Sequence, residues 1–414
     1  MAGEAHDIIA AFNTGREPER LAMKYEAMAA GPFPFLRGTC HLFYQRLVEN
    51  NLATGGPPAW ICGDLHLENF GTYLGDTGLV YFDINDFDEA ALAPVTWDIV
   101  RLVTSLFVAA GSLGLTGADR DELASDLTET WRCELTTGKP RWIERKTADG
   151  IIGALMDDLK TRRPGKFLYK RTVIKKGARR LIAGNGKALP VTEEERAKLS
   201  DFCATLGGDT KAAKYFRFID GARRIAGTGS LGIPRFIILI EGEGSPDGNV
   251  MLDLKEARAT DVATYARQAE PNWQSPAHRV VTIMDLCQAV APGFLKPVTF
   301  AGKPYVVREL QPEADRLNLA NATRNMAEFR QAVLIMGKLA AWAELRATGR
   351  AGSATADSLI AYAKDPFLAA AVLNSARAMA EITQADWKDY VEAYNSDRSL
   401  QIEKPRREAR ASRN

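Results

Sequence analysis

Gly63-Asp-Leu-His-Leu-Glu-Asn69, followed downstream by Phe82-Asp-Ile-Asn-Asp-Phe-Asp-Glu-Ala90, sets the terms for any fold this chain adopts. Asp64 and Asn69 stand five positions apart, and Asp83, Asp86 and Asp88 crowd the second run. Carboxylates gathered this closely repel one another unless a cation sits among them. Apolar residues surround them, which argues against a solvated acidic turn. The fold must therefore bring a loop with an Asp and an Asn beside a second aspartate run, with only 62 residues before it.

Composition bounds the rest. The chain has 414 residues and is 46% hydrophobic, enough for a large core and two or three subdomains. A formal net charge of +1 gives no global sign of a nucleic-acid or membrane partner. The basic stretches at 159–186 and Lys404–Arg413 read as solvated faces. Five scattered cysteines without a C-x-x-C pair exclude a disulfide scaffold or zinc site and suit a reducing cytosol. The start, Met-Ala-Gly-Glu-Ala-His-Asp, lacks the features of a signal peptide, so a cytoplasmic location is expected. Arg101, Ser105 and Gly111 interrupt the apolar run Ile99–Leu115, so no membrane span is expected.

Along the chain, 18–30 reads as a helix that Pro32–Gly38 breaks, and a second helix runs from about Thr39 to Asn50. Ala59–Cys62 reads as a buried strand leading into the first motif. Gly71–Leu74, Gly75–Gly78 and Leu79–Phe82 read as strand, turn, strand. Pro94 opens a helix with Asp98 in its first turn, where a carboxylate suits the helix dipole. Residues 119–220 read as mostly helical, with a hairpin near Lys166–Leu189. Strands are then expected at Pro234–Ile240, Asn249–Lys255, Phe294–Phe300 and Lys303–Leu310, separated by the turn Gly242–Gly248 and a helix at 275–291. Long helices should fill 324–347 and 356–395, and the tail from Asp397 reads as disordered.

A loop with Asp64 and Asn69 can aim one side chain at a hydroxyl and the other at Mg²⁺, a hard cation that takes oxygen ligands. This is the layout of a kinase catalytic loop followed by its metal-binding segment. Asp64 is then the catalytic base and Asn69 a metal ligand. The second ligand is Asp86, twelve positions before Asp98, or Asp83, which ends the apolar strand; a shared role is the third option. His66 reads as structural, and Asp98 as the acceptor of backbone N–H groups from the loop. Gly227-Thr-Gly229-Ser230-Leu-Gly232 matches a phosphate-binding glycine pattern that is weak alone. A β-like run follows it, where a dinucleotide site would open a helix, so Gly227, Gly229, Ser230 and Gly232 read as a phosphate lid. Lys255 follows on the next strand, and a lysine within an apolar strand is costly unless its charge is used. No carboxylate stands out as its partner; Glu256, Glu270 and Asp285 are candidates. Arg37 and Arg308 could meet phosphate or ion-pair with the acidic cluster.

The glycine loop comes after the catalytic Asp, the reverse of ordinary kinases. The expectation is an α+β, protein-kinase-like two-lobe fold that is circularly permuted. Residues 18–118 would carry the catalytic and metal-binding part, 119–220 a helical substrate-side segment, and 221–312 the nucleotide-binding β lobe. Residues 313–396 would complete the helical lobe, followed by the tail at 397–414. Val306–Gln311, with Val307 at its centre, would be the hinge that contacts adenine.

Lys24–Met28, Pro32–Gly38, Gly63–Gly71, Phe82–Glu89, Trp97-Asp98, Gly227–Gly232 and Leu254–Ala257 closely resemble a widespread uncharacterised bacterial domain-of-unknown-function family, over roughly residues 18–350. A looser likeness, mainly over 63–101, is to aminoglycoside phosphotransferases and choline kinases. It implies ATP as donor, Asp64 as base, and Asn69 and Asp86 on Mg²⁺. Cys62 departs from it, since those enzymes usually have His before Gly-Asp. The expected reaction moves the ATP γ-phosphate to a hydroxyl of an unidentified small-molecule or protein acceptor. The alternatives are AMP transfer on the same fold, a regulatory pseudokinase, and a metallophosphoesterase suggested by Asp64-Leu-His66.

Overall fold

Arg235–Gly244 is rich in isoleucine, and its alternating side chains build the centre of a six-stranded sheet. In the computed structural model, residues 4–396 are described apart from 163, 176–177, 185, 209–211, 245–246 and 313–315. The strands before this sheet are β1 (Pro58–Ile61), β2 (Phe70–Leu74), β3 (Val80–Ile84), β4 (Ala91–Pro94), β5 (Thr172–Lys175) and β6 (Ala178–Leu181). They pair antiparallel as β1–β4, β2–β3 and β5–β6. The large sheet uses β7 (Ala188–Pro190), β8 (Phe218–Arg224), β9 (Arg235–Gly244), β10 (Gly248–Glu256), β11 (Lys296–Phe300) and β12 (Lys303–Glu309). Its order is β11-β12-β10-β9-β8-β7, antiparallel throughout.

Side chains alternate between the faces of a strand, and this sheet uses both faces. Phe236, Ile238, Ile240, Leu252, Leu254 and Val307 pack with Leu199, Phe202 and Cys203 of the helix Glu193–Gly207. The opposite face is apolar at one end, where Ile237, Leu239, Met251 and Leu310 meet Leu168. At the other end it carries Arg224, Arg235, Asp253 and Lys255, all buried.

The larger core is helical. Every residue of the helix Thr96–Ala109 is buried, Arg101 included. It packs against Leu368–Ser396 and Gly117–Thr137, and Met326–Arg346 lies on Gly117–Thr137. The first helix, Glu4–Phe12, docks on the last, with Ala5 N donating to Asp389 Oδ2 at 3.3 Å. Among the described residues no helix is long and apolar enough to cross a membrane, and all five cysteines are free.

Three sequence expectations need correction. The helix Pro18–Ala29 does end before Pro32, but Pro32–Gly38 is itself a short helix, since Pro32 at its first position has no N–H to lose. Pro164–Arg171 is helical, and the hairpin β5–β6 begins only after it. The span 356–395 is two helices, Ala356–Ala363 and Leu368–Ser396, split at Asp365-Pro366, because the residue before a proline avoids the α region. The tail from Asp397, the centre of the Gly242–Gly248 turn, and Arg163 and Lys176 of the basic stretch lie outside the described residues.

Candidate functional site

Asp98, in the first turn of its helix, accepts hydrogen bonds from Cys62 N at 2.7 Å and Gly63 N at 3.0 Å. Tyr44 Oη donates to Gly63 O at 2.6 Å. Gly63 has φ +82°, and a Cβ there would lie 2.2 Å from Glu89 O. The turn that presents Asp64 is thus fixed from three sides.

Arg101, one helical turn after Asp98, donates from Nε to Asp64 Oδ1 at 3.1 Å and from Nη2 to Leu36 O at 2.9 Å. Burial pushes the Asp64 carboxyl up to about 6, a shift that Arg101 only partly offsets. The side chain remains 23% exposed. Its Oδ2 lies toward the glycine loop, 3.9 Å from where a Cβ on Gly229 would sit.

Asn69 ties the two motifs together. Its Nδ2 donates to Asp64 O at 3.1 Å and Asp86 O at 3.2 Å, while Asn85 N donates to Asn69 O at 2.9 Å. Asp86 faces Lys255 Nζ at 3.9 Å, and Lys255 makes a closer ion pair with Asp88. Burial alone would raise the pKa of Asp86, but Lys255, Arg308, Arg235 and Arg316 outweigh it and hold the carboxylate below its ordinary value. Burial lowers the pKa of Lys255, and Asp86 counters it.

The segment between β8 and β9 crosses this place. Gly227 and Gly232 adopt φ +73° and +84°, conformations that favour glycine. Arg16 Nη1 donates to Gly229 O at 2.8 Å and Leu231 O at 3.0 Å, and Lys24 Nζ to Gly229 O at 3.4 Å. A cavity of about 60 Å³ lies beneath, lined by Asp64, Asp86, Asp88, Glu89, Gly229 and Ser230, with Arg16, Lys24, Arg37 and Arg258 around them. A second cavity, of about 270 Å³, lies between Met251, Leu310 and the helical residues Leu159, Phe167 and Leu168; Asp64, Asn69, Asp86 and Lys255 do not line it.

Asp64, Asn69, Asp86, Lys255 and the glycine loop therefore meet. Asp83 does not join them: its carboxylate accepts from Ile84 N and Ala289 N at 2.9 and 3.1 Å and faces Arg346 at 3.4 Å. Val307 points into the apolar core on the far face of the sheet. Arg37 pairs with Glu68, and Arg308 donates to Asn85 O at 3.1 Å. His66 is buried, with Nδ1 accepting from Glu68 N at 3.1 Å and its ring edge-on to Phe33. Sequence reasoning took Arg101 only as a break in an apolar run. An arginine one turn after the helix-start Asp98 is the signal that could have found it. Asp88 as the partner of Lys255, and Arg16 and Lys24 as anchors of the loop, have no local signal.

Mg²⁺ usually takes one or two carboxylates and completes its shell with phosphates and water. Asp86 keeps 40% exposure, and the nitrogen of the Asn69 amide is committed to two carbonyls, which leaves its oxygen as a ligand. An amide oxygen and a carboxylate are the ligand types such a seat would need. Among the described residues no group of three or more His, Cys, Asp or Glu is gathered for a metal ion, as a metallophosphoesterase would need.

Neither a curated protein nor a solved structure matches the chain. A family model described as an uncharacterized protein conserved in bacteria matches residues 16–393, so the chain belongs to the DUF2252 family.

Proposed function

We propose that this protein is a Mg²⁺·ATP-dependent phosphotransferase of permuted kinase-like architecture that moves the γ-phosphate to a hydroxyl. One observation carries the reading: the loop Gly227–Gly232, far downstream in sequence, closes over Asp64 in the cavity that Asp86 also lines. The order of elements supports it. The glycine loop joins two antiparallel strands, the lysine lies on the next strand, and a helix, Pro276–Cys287, follows before the sheet resumes. Kinases place their phosphate lid, lysine and following helix in that order.

In this reading Asp64 takes the proton of the acceptor hydroxyl as its oxygen bonds to Pγ and the bond from Pγ to the ADP oxygen breaks. Arg101 holds Oδ1 and leaves Oδ2 for that proton. Lys255 exchanges Asp88 for phosphate oxygens. Mg²⁺ held by Asn69 and Asp86 would neutralise phosphate charge. The 60 Å³ cavity is far smaller than a nucleotide, so the loop must lift, hinged at Gly227 and Gly232. One departure from kinases is local: the helix Pro276–Cys287 has no glutamate for Lys255, and its buried Arg279 donates to Asp88 O at 2.7 Å and Arg258 O at 3.0 Å.

The test is thermal unfolding with and without Mg²⁺·ATP, paired with ATP labelled at the α or the γ phosphorus. Ligand at about 100 times its Kd should stabilise the fold by roughly 2.7 kcal/mol. Lys255→Ala and Asp86→Ala, checked for folding by circular dichroism, should abolish the shift. Asp64→Asn should keep the shift and lose transfer of the γ label. Transfer of the α label instead would replace phosphoryl transfer with AMP transfer. Neither a shift nor transfer, in folded protein, would sink the proposal.

A further inference from the structure

Arg224 on β8, Arg235 on β9, Asp253 and Lys255 on β10, and Arg308 on β12 share one face of the large sheet. The register requires it, since Lys255 lies opposite Arg235 and Val306, and Asp253 opposite Arg308. Asp253 serves three guanidiniums: Arg224 at 2.7 Å, Arg235 Nε at 2.8 Å and Arg308 at 3.9 Å. The backbone of Arg316 bridges to Gly71, two residues after Asn69. Burial lowers the pKa of Arg316, and Asp86 offsets part of that, while Arg37, Arg235 and Arg308 add to the lowering. Among the described residues the set is six cations, Arg37, Arg224, Arg235, Lys255, Arg308 and Arg316, against four carboxylates, Asp64, Asp86, Asp88 and Asp253.

One carboxylate does not neutralise three guanidiniums. Burial, with Arg235 next in size, takes Arg224 down to about 9, and burial lowers Arg308 as well. A buried cation surplus is costly until an anion completes it. A purine ring carries no negative charge, so a base seated against Asp253 and Arg308 would leave the surplus in place. Phosphates remove it, and planar guanidiniums can grip phosphate oxygens in pairs. The charge ends abruptly along the strands: the next residues on this face, Met251 and Leu310, are apolar and line the 270 Å³ cavity.

We propose that this face of the sheet, Arg308 and Arg316 with Arg235 beside them, is a polyphosphate subsite that continues from Lys255, so that the ligand is held beneath the sheet by its phosphate chain and not by its base. That the phosphates belong to a nucleotide rests on the reading above; that a polyphosphate binds here does not.

Isothermal titration of the full chain with sodium tripolyphosphate, ATP and adenosine tests it. Wild type should bind tripolyphosphate and ATP, and adenosine should bind far more weakly. Arg308→Met and Arg316→Gln should each weaken tripolyphosphate by about tenfold or more, the loss of a charge-assisted contact. Arg308→Met disturbs contacts with Asp253 and Asn85, so the melting temperature is read alongside. Arg316→Gln carries the test if Arg308→Met does not fold. Tripolyphosphate that fails to bind wild type, variants that bind it as wild type does, or adenosine that binds as tightly as ATP would each overturn the subsite. Tripolyphosphate binding without transfer of either label would keep the subsite and remove the transferase. Label transfer with tripolyphosphate affinity unchanged in both variants would do the reverse.

Discussion

At Asp64 two opposing forces set the chemistry: burial disfavours the carboxylate, and Arg101 restores only part of what burial removes, so the group titrates at about 6 rather than 3.8. A base must be deprotonated, so turnover should rise with pH through about 6, and a profile flat on both sides of that value would exclude Asp64 as the base. Stability runs the other way. A folded-state pKa above the unfolded one contributes stability that is complete below 3.8 and lost as pH rises through about 6. Asp64→Asn should therefore gain in melting temperature relative to wild type across that window, as it loses activity. Arg101 is the matching test. Arg101→Met strips a buried carboxylate of its cation and should cost about 3 kcal/mol in urea unfolding, at the lower end of such losses because Asp64 keeps 23% exposure. It should also move the rising limb of turnover to higher pH. The double variant with Asp64→Asn should cost less than Arg101→Met alone, since the neutral amide leaves no buried charge unpaired.

Short glycine-bearing elements decide whether these side chains meet. Gly63 and Gly229 make different demands, and alanine separates them. At Gly63 the new Cβ meets Glu89 O at 2.2 Å with φ +82°, so Gly63→Ala should destabilise by about 2 kcal/mol or more, read from denaturant midpoints. At Gly229 φ is not positive and the nearest atom, Arg37 O, is 3.0 Å away. Gly229→Ala should cost less at the midpoint than Gly63→Ala, yet weaken Mg²⁺·ATP binding, because its methyl would lie 3.9 Å from Asp64 Oδ2. Equal losses at both positions would mean that the loop is only structural. These two glycines also mark how far sequence reading went. The turn before Asp64, the loop after Arg223 and the strands β9 and β10 were legible because glycines, a proline and β-branched runs act locally. The partners were not. Lys255 finds Asp88 and Asp86, residues far upstream in the chain, and Asp253 binds arginines from three other strands. Arg308, a lone arginine beside an apolar run, left phosphate contact and ion pairing both open until the register placed it opposite Asp253. Asp83 and Asp86 are equally acidic in sequence; only the pleat of β3, which turns Asp83 toward Ala289 and Arg346, separates them.

Across the whole molecule, the order of the parts matters less than their contacts. The helices at the two ends of the described chain pack on each other, with Ala5 N reaching Asp389, and Tyr390 Oη of the last helix donates to Tyr25 O of the second at 3.0 Å. The sheet with Lys255 and the helices with Asp64 are joined by partly buried contacts, among them Arg16 to the glycine loop, Arg308 to Asn85 O, and Thr260 Oγ1 to Glu89 O at 2.9 Å. If those contacts and not chain order hold the site, the order can be exchanged. Joining Ser396 to Glu4 with a Gly/Ser linker of about ten residues, which spans about 17 Å on average, and reopening the chain between Gly208 and Ala212 would put the glycine loop and Lys255 ahead of Asp64. The cut falls beside the exposed Gly208, after a helix has ended, where new termini are tolerated. This permutant should unfold in one transition and keep the Mg²⁺·ATP-dependent rise in melting temperature. Arg16, Lys24 and Arg101 would still reach Gly229 and Asp64, because these contacts are made through space by residues outside 208–212. A permutant that folds but loses the ligand shift would show that the connection through 208–212 positions the sheet over Asp64, and that packing alone does not.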